Sequence, residues 1–481
     1  MALNASHRGF PRSRLRQALP GEGSDALQQT RARAVPPLFA ILFIIAVYVN
    51  IPTSRDGVPM ISAFPFALIA GLMFLPKVFS AEARGALLLG LGIYGISLLA
   101  PDLTTYFVPR SLAFGQYIYS IAIGLTLYWT VLSFSPAQAA RFSEIAIIVL
   151  LAGGVIEIFT ALSSVLDNVM NPLFGLDEYT QIIQNRDAAI GLGLRRPKFF
   201  SSETSYFAMA LSFLICTYAS LSVRKGSLTR ALGYSIVALV VTRSPILVFA
   251  FAFVSATIVL GDGPKGRGAN LDRLLLGVVI AIPVATVAYV VLSELFQARI
   301  QQVSSGADYS STYRTYGSVY AALAVLSESP FFGIGIGSIN AAFRPLTQTY
   351  LSLGIPASSV LHEWRFQIQN LPSALLIYLG ALGTMFYLGF LYFYARSLIG
   401  KLKWQTWALF ILLSATASAF YSPRYITFFF LILAITQMAK SISDETRYSA
   451  DEGRPANRLD RAKTLGNRSL SNRPGNSSSR V

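Results

Sequence analysis

The chain has 481 residues, of which 53% are hydrophobic, 12% aromatic and only 13% charged, and its net charge is +16. That charged fraction is about half of what soluble domains carry, and it is clustered, leaving runs such as 111–140 without a charge. A water-soluble globule is excluded, and a polytopic membrane protein is expected in its place.

In chain order, residues 1–34 are polar and Arg-rich and lack the apolar core of a signal peptide, so they read as a disordered cytoplasmic tail. Residues 35–440 then form the transmembrane domain, an all-α polytopic bundle. Its predicted spans are 35–51, 58–76, 85–101, 111–134, 143–162, 205–222, 229–242, 246–261, 274–293, 371–395, 404–420 and 425–440. The seventh and eighth are short and meet at Thr242-Arg243-Ser244-Pro245. Read as a break within one long tilted helix, that hinge reduces the twelve spans to eleven. Residues 441–481 are Ser/Asn/Arg-rich without periodicity and read as a second disordered cytoplasmic tail.

Lys and Arg set the orientation. With both termini inside, nearly the whole positive excess falls on the inner side, where it faces anionic lipid and calls for no nucleic-acid partner. Two long segments, about 163–202 and 294–370, then lie outside. Loops of that length in a compact protein are usually functional or disordered. Their aromatics and Gly motifs favour folded loops with short helices.

One cysteine, Cys216, leaves no disulfide within the chain and no thiolate metal cluster. Of two histidines, His7 lies in the N-terminal tail, so paired-histidine zinc and haem sites are not expected. No metal and no cofactor is expected.

Four constellations carry candidate chemistry. The first is Arg195-Arg196-Pro197-Lys198-Phe199-Phe200-Ser201-Ser202-Glu203-Thr204. Its guanidinium groups suit phosphate at a membrane interface, and Ser201, Ser202 or Thr204 are candidate caps for the following helix. The plainer reading is interfacial snorkelling with an ordinary capping box. The second is Arg243, which must sit at the outer interface or face a hydrated cavity; the plainer reading is a connecting-turn residue. The third runs from Tyr313-Arg314-Thr315-Tyr316 to Gly333-Ile334-Gly335-Ile336-Gly337. Tyr313, Tyr316 and Tyr320 share a helical face that either stacks on sugar rings or lies at the lipid interface. The Gly run resembles a dinucleotide loop only superficially, since no strand–helix unit surrounds it. The fourth is Leu361-His362-Glu363-Trp364-Arg365, where His362 has the ordinary pKa best suited to base chemistry near neutrality; a plain surface role is the alternative. Glu157, the one acid well inside a predicted span, either pairs with an outer Arg or titrates in a proton path.

The motif order resembles a known family. Phe199-Phe200-Ser201-Ser202-Glu203-Thr204-Ser205, the Thr242-Arg243-Ser244 hinge and an isolated Arg314 come first. Pro330-Phe331-Phe332-Gly333-Ile334-Gly335-Ile336-Gly337, Gln369-Asn370-Leu371-Pro372 and Tyr378-Leu379-Gly380-Ala381-Leu382-Gly383 follow. Over about 190–395 this is similar to the Wzy-type O-antigen and exopolysaccharide polymerases, which share a superfamily with the O-antigen ligases.

The resemblance implies a GT-C-like, metal-independent glycosyltransferase of the bacterial inner membrane, acting at its periplasmic face on an undecaprenyl-diphosphate-linked oligosaccharide. Arg196, Arg243 and Arg314, flanked by Arg195 and Lys198, would hold the diphosphate. Tyr313, Tyr316, Trp364 and Arg365 would contact the glycan. The family's turn glutamate corresponds to Glu203. Membrane lipids, a flippase and a chain-length regulator would be its partners. Ligases carry His-Asn where this chain has Gln369-Asn370, which favours polymerase over ligase and leaves the base open between Glu203 and His362. A flippase or other transporter is the remaining alternative, and the internal repeat expected of a transporter is not seen.

Overall fold

The computed structural model describes residues 48, 80–160, 164–166, 168–169, 196–201, 204–224, 226–244, 246–260, 312–313, 316–363, 368, 370–416 and 420–452. Among them, all regular structure is helical. The helices are α1 (Ala81–Leu98), α2 (Leu103–Ser133), α3 (Pro136–Phe159), α4 (Thr204–Leu221), α5 (Ser227–Thr242) and α6 (Ile246–Leu260). After them come α7 (Tyr316–Glu328), α8 (Phe343–Ser352), α9 (Ala357–Glu363), α10 (Leu371–Ile399), α11 (Trp404–Thr416) and α12 (Pro423–Glu452). Five are long and apolar enough to cross a membrane: α1, α3, α4, α10 and the 423–442 part of α12. This is a helical membrane protein. The predicted spans 35–51, 58–76 and 274–293 lie outside the described residues, Tyr48 excepted.

Local signals explain several helix ends. Ser80 accepts the Ala83 N–H and caps α1. Ser135 and Gln138 form a reciprocal capping box on α3, with Pro136 in its first turn. Asn370 caps α10 by accepting the Ser373 N–H at 3.0 Å.

Three boundaries differ most from expectation, the first being α3, which begins at Pro136, seven residues before 143, on its capping box. Helix α2 starts eight residues before 111, because it runs through Pro109 and Arg110. Arg110 is accommodated there by hydrogen bonds inside the fold, as described below. Helix α12 continues past 441 to Glu452, since no Gly or Pro interrupts it before Gly453.

Contacts fix the directions. Gly92 lies under Phe386 and Gly85 under Tyr394, so α1 and α10 are antiparallel. Ser120 Oγ donates to the Tyr421 carbonyl and Tyr128 donates to Gln437, so α2 and α12 run parallel. Tyr206 meets Arg424 and Phe213 meets Phe428, and α4 therefore also runs parallel to α12. Gly154 packs against Phe207 and Val241, while Glu144 meets Tyr218 and Arg230. Helix α3 is thus antiparallel to α4 and parallel to α5.

One end of the bundle, here called the upper end, consequently collects the C-termini of α1, α3 and α5 and the N-termini of α2, α4, α10 and α12. Seventeen residues of α2 precede Ser120, so α2 rises about 25 Å above the start of α12 at 1.5 Å per residue. The bundle is therefore stepped, with α1, α2 and α10 overlooking the starts of α4 and α12. Tyr378 against Tyr421 and Tyr387 against Tyr425 join the two levels.

The Gly run serves this wall. Helix α10 breaks at Gly380 (φ 65°, ψ −171°), which would leave carbonyls above the break and amides below it without partners. The 330–335 segment supplies them. Ile334 and Gly335 N–H donate to the Ile377 and Tyr378 carbonyls, and Ala381 and Leu382 N–H donate to the Pro330 and Phe331 carbonyls. A Cβ at Gly333 would lie 2.4 Å from the Ile377 oxygen, so only glycine permits this approach.

Arg110, fully buried, holds the other side of the segment. Its guanidinium donates to Ser338 Oγ at 2.9 Å and to the carbonyls of Ala100, Pro101 and Ile334.

Candidate functional site

The lower step of the upper end carries the first constellation. Phe199 and Phe200 adopt positive φ (29° and 62°), a geometry that turns successive amides to one side and makes an anion-binding concavity. The anion in it is Glu157, 2% exposed. Its carboxylate accepts the Lys198 N–H at 3.1 and 3.2 Å and the Phe199 N–H at 2.7 Å. Glu157 was expected either to pair with an Arg or to move protons; the structure adds a positioning role, anchoring backbone.

Three further contacts tie down the same turn. Tyr48 donates to the Phe199 carbonyl at 2.7 Å. The Phe199 ring lies on α3 where Gly153 leaves room; a Cβ there would sit 2.3 Å from the ring. Ser201 donates from both its amide and its hydroxyl to the Lys198 carbonyl. Ser201 therefore closes the turn, and Thr204 lies within α4 rather than capping it. Ser202 lies outside the described residues.

Fixed in this way, the turn presents Arg196, partly exposed, and Lys198, 8% exposed. Arg243 ends α5 in the left-handed region (φ 49°, ψ 38°), its amide donating to the Leu239 carbonyl. A non-glycine residue there costs on the order of 1 kcal/mol. The reversal makes α5 and α6 two helices packed side by side, not one broken helix. Val241, two residues earlier, packs against Gly154 on α3, less than one turn before Glu157. Arg243 and the anchored turn thus share one end of the α3–α5 pair.

A fourth cation, Arg424, was not anticipated. It follows Pro423 at the start of α12, and its guanidinium lies 3.5 Å over the Tyr206 ring in the first turn of α4. It acts electrostatically on Tyr48, as does Glu157, and Ser201 hydrogen-bonds to that phenol. Arg424, the anchored turn and Tyr48 therefore share one neighbourhood. The signal in the sequence was a lone cation beside proline between two apolar runs, the pattern that drew attention to Arg243.

The remaining predicted residues divide. Arg195, Glu203, Arg314, Trp364 and Arg365 lie outside the described residues. His362 belongs to α9, but its side chain is likewise outside them. The expected tyrosine face is corrected. Tyr313 turns inward, 3% exposed, edge to face with Tyr350. Tyr316 and Tyr320 alone share the exposed face. Among the described residues, no group of three or more His, Cys, Asp or Glu is placed to hold a metal ion.

No model of a protein family, no curated protein and no solved structure matches this chain.

Proposed function

We propose that the chain is a polysaccharide polymerase, joining undecaprenyl-diphosphate-linked oligosaccharide units at the periplasmic face of a bacterial inner membrane. The observation that carries this reading is the gathering of three cations at one end of a helical membrane protein: Arg196 and Lys198 on a turn whose backbone is anchored by buried Glu157, and Arg243 at the neighbouring end of α5. Such cations suit a diphosphate leaving group near a membrane surface.

The orientation rests on charge. The lower end carries Arg84, Arg141, Arg230, Arg396, Lys401 and Lys403, which favours its being cytosolic. The upper end then faces the periplasm.

In the proposed reaction, a hydroxyl of the acceptor sugar attacks the anomeric carbon of the donor. The new C–O bond forms as the bond to the diphosphate oxygen breaks. The hydroxyl proton goes to a base, with Glu203 and His362 as candidates, and the electron pair leaves with the diphosphate. Arg196, Lys198 and Arg243 stabilise that developing charge; Arg195 and Arg314 would add to it. Tyr316 on its exposed face, with Trp364 and Arg365, would contact the glycan.

Deleting the gene and sizing the surface glycan tests the reading. Single repeat units on the carrier are the expected outcome. Full-length polymer stranded on the carrier would instead identify a ligase, and units held on the cytosolic leaflet a flippase.

A further inference from the structure

We infer that Arg424, stacked on Tyr206 at the start of α12, is a further phosphate-binding residue of this site, its guanidinium edge taking phosphate oxygens in pairs. The inference rests on the polymerase reading for the identity of its ligand, a lipid-linked diphosphate.

How other cations are satisfied leads to it. Arg230 pairs with Glu144 at 2.8 Å. Lys440 donates to the Ile399 carbonyl and Arg396 to the Tyr392 hydroxyl. Arg110 donates four times to protein oxygens. Arg424 differs from these four: among the described residues it has neither a carboxylate within ion-pair distance nor a hydrogen-bonded oxygen, and the partner the structure gives it is the face of an aromatic ring.

Stacking engages the flat face of a guanidinium and leaves its N–H edge unused. That edge is the part that matches two oxygens of a phosphate at once. A cation–π contact is also weak compensation for a half-buried charge. Burial near a membrane surface favours adding an anion, and Glu157, the buried acid of the anchored turn, is already engaged by the backbone at 198–199. Tyr206 thus acts as a platform that holds the fork flat beside the turn bearing Lys198.

The chemistry is shared by two sources, the diphosphate of a polyprenyl carrier and the monophosphate of an ordinary phospholipid headgroup. The test uses the full chain in phosphatidylcholine nanodiscs. Undecaprenyl diphosphate binding is measured for wild type, R424A, R424K and Y206L, with and without phosphatidylglycerol as competitor. Saturable wild-type binding that weakens at least tenfold in R424A, and at least threefold in R424K, is expected. Y206L should weaken it by a smaller factor, since it removes the platform and keeps the fork. Should R424A fail to fold by size exclusion, R424K carries the test, because it keeps the charge and removes the fork.

Unchanged binding in a folded R424A, or in R424K where R424A does not fold, overturns the inference and leaves the polymerase reading standing. No diphosphate binding by wild type overturns both. Equal displacement by phosphatidylglycerol overturns the assignment to a carrier, placing a headgroup there instead.

Discussion

Two buried or half-buried arginines at the same end of the bundle make the instructive comparison. Arg110 is sealed in the tall wall of α1, α2 and α10, and its guanidinium is spent on Ser338 and three backbone carbonyls. Arg424 stands on the lower step with a ring face for a partner. The first is structure, in that its N–H groups tie the Gly333–Gly337 segment to the start of α2 and the end of α1. The second has donors to spare. The same residue type therefore does different work according to whether the fold satisfies its edge or only its face, and sequence position alone does not distinguish the two.

Removing Arg110 is the harshest way to test that contrast. R110M keeps most of the apolar stem and orphans three carbonyls and a serine in the interior. Each unsatisfied buried group costs about 1–3 kcal/mol, so the loss is expected to exceed about 3 kcal/mol. Fluorescence-detected size exclusion should show little folded protein. Recovery of a normal monodisperse peak would remove the structural role assigned here.

G380A comes next. A Cβ at this position would lie 2.5 Å from the backbone of Phe331 and Gly333, and φ is +65°. Helix α10 must either straighten, losing the four hydrogen bonds to 330–335, or displace that segment. A stability loss of about 2–4 kcal/mol is expected from the combined steric and backbone effects. It should appear as a lower melting temperature, with diphosphate binding by the surviving folded fraction retained.

E157Q acts on the other region and should reverse that pattern. The amide keeps the volume and one acceptor oxygen but cannot receive both amides with a charge. Charge-assisted bonds are roughly twice as strong as neutral ones, so a loss of about 1–2 kcal/mol is expected. Because the turn presents Arg196 and Lys198, polymer output should fall more than stability does, by tenfold or more. E157D, shorter by one methylene, should recover part of the activity if anchoring is the role. A variant with normal turnover and an unchanged KM for the lipid-linked donor would show that the turn needs no such anchor.

How much of this was legible beforehand follows from the range of each interaction. Nine of the predicted segments coincide with helices because apolar windows are local. The Gly380 break was not readable, since its partners lie some fifty residues earlier and the bonds run between backbones. Glu157 stood out as an intramembrane acid, yet its partners are amides, which leave no residue signature. Tyr313 was misplaced because its partner, Tyr350, lies on another helix 37 residues later, a contact that helical period does not reveal. Arg424 was readable, as Arg243 was, from a cation beside proline between apolar runs. The Gly motifs, in turn, carried the family resemblance while serving the wall.

The smallest effect should come from the opposite end of the bundle, where a cation is satisfied but exposed. Arg230 pairs with Glu144 at 2.8 Å, with side chains 44% and 14% exposed, and Tyr218 and Tyr234 add hydroxyl contacts to the same carboxylate. An ion pair this exposed is worth about 0–1 kcal/mol. R230A should therefore shift the melting temperature by a degree or two and leave both diphosphate binding and polymer length unchanged. E144Q should cost slightly more, because two tyrosines lose a charged acceptor. If R230A instead lowered binding as R424A is expected to, cation count over the whole molecule, rather than the placement of an unspent guanidinium edge, would be governing the affinity. The contrast between the wall and the step would then lose its meaning.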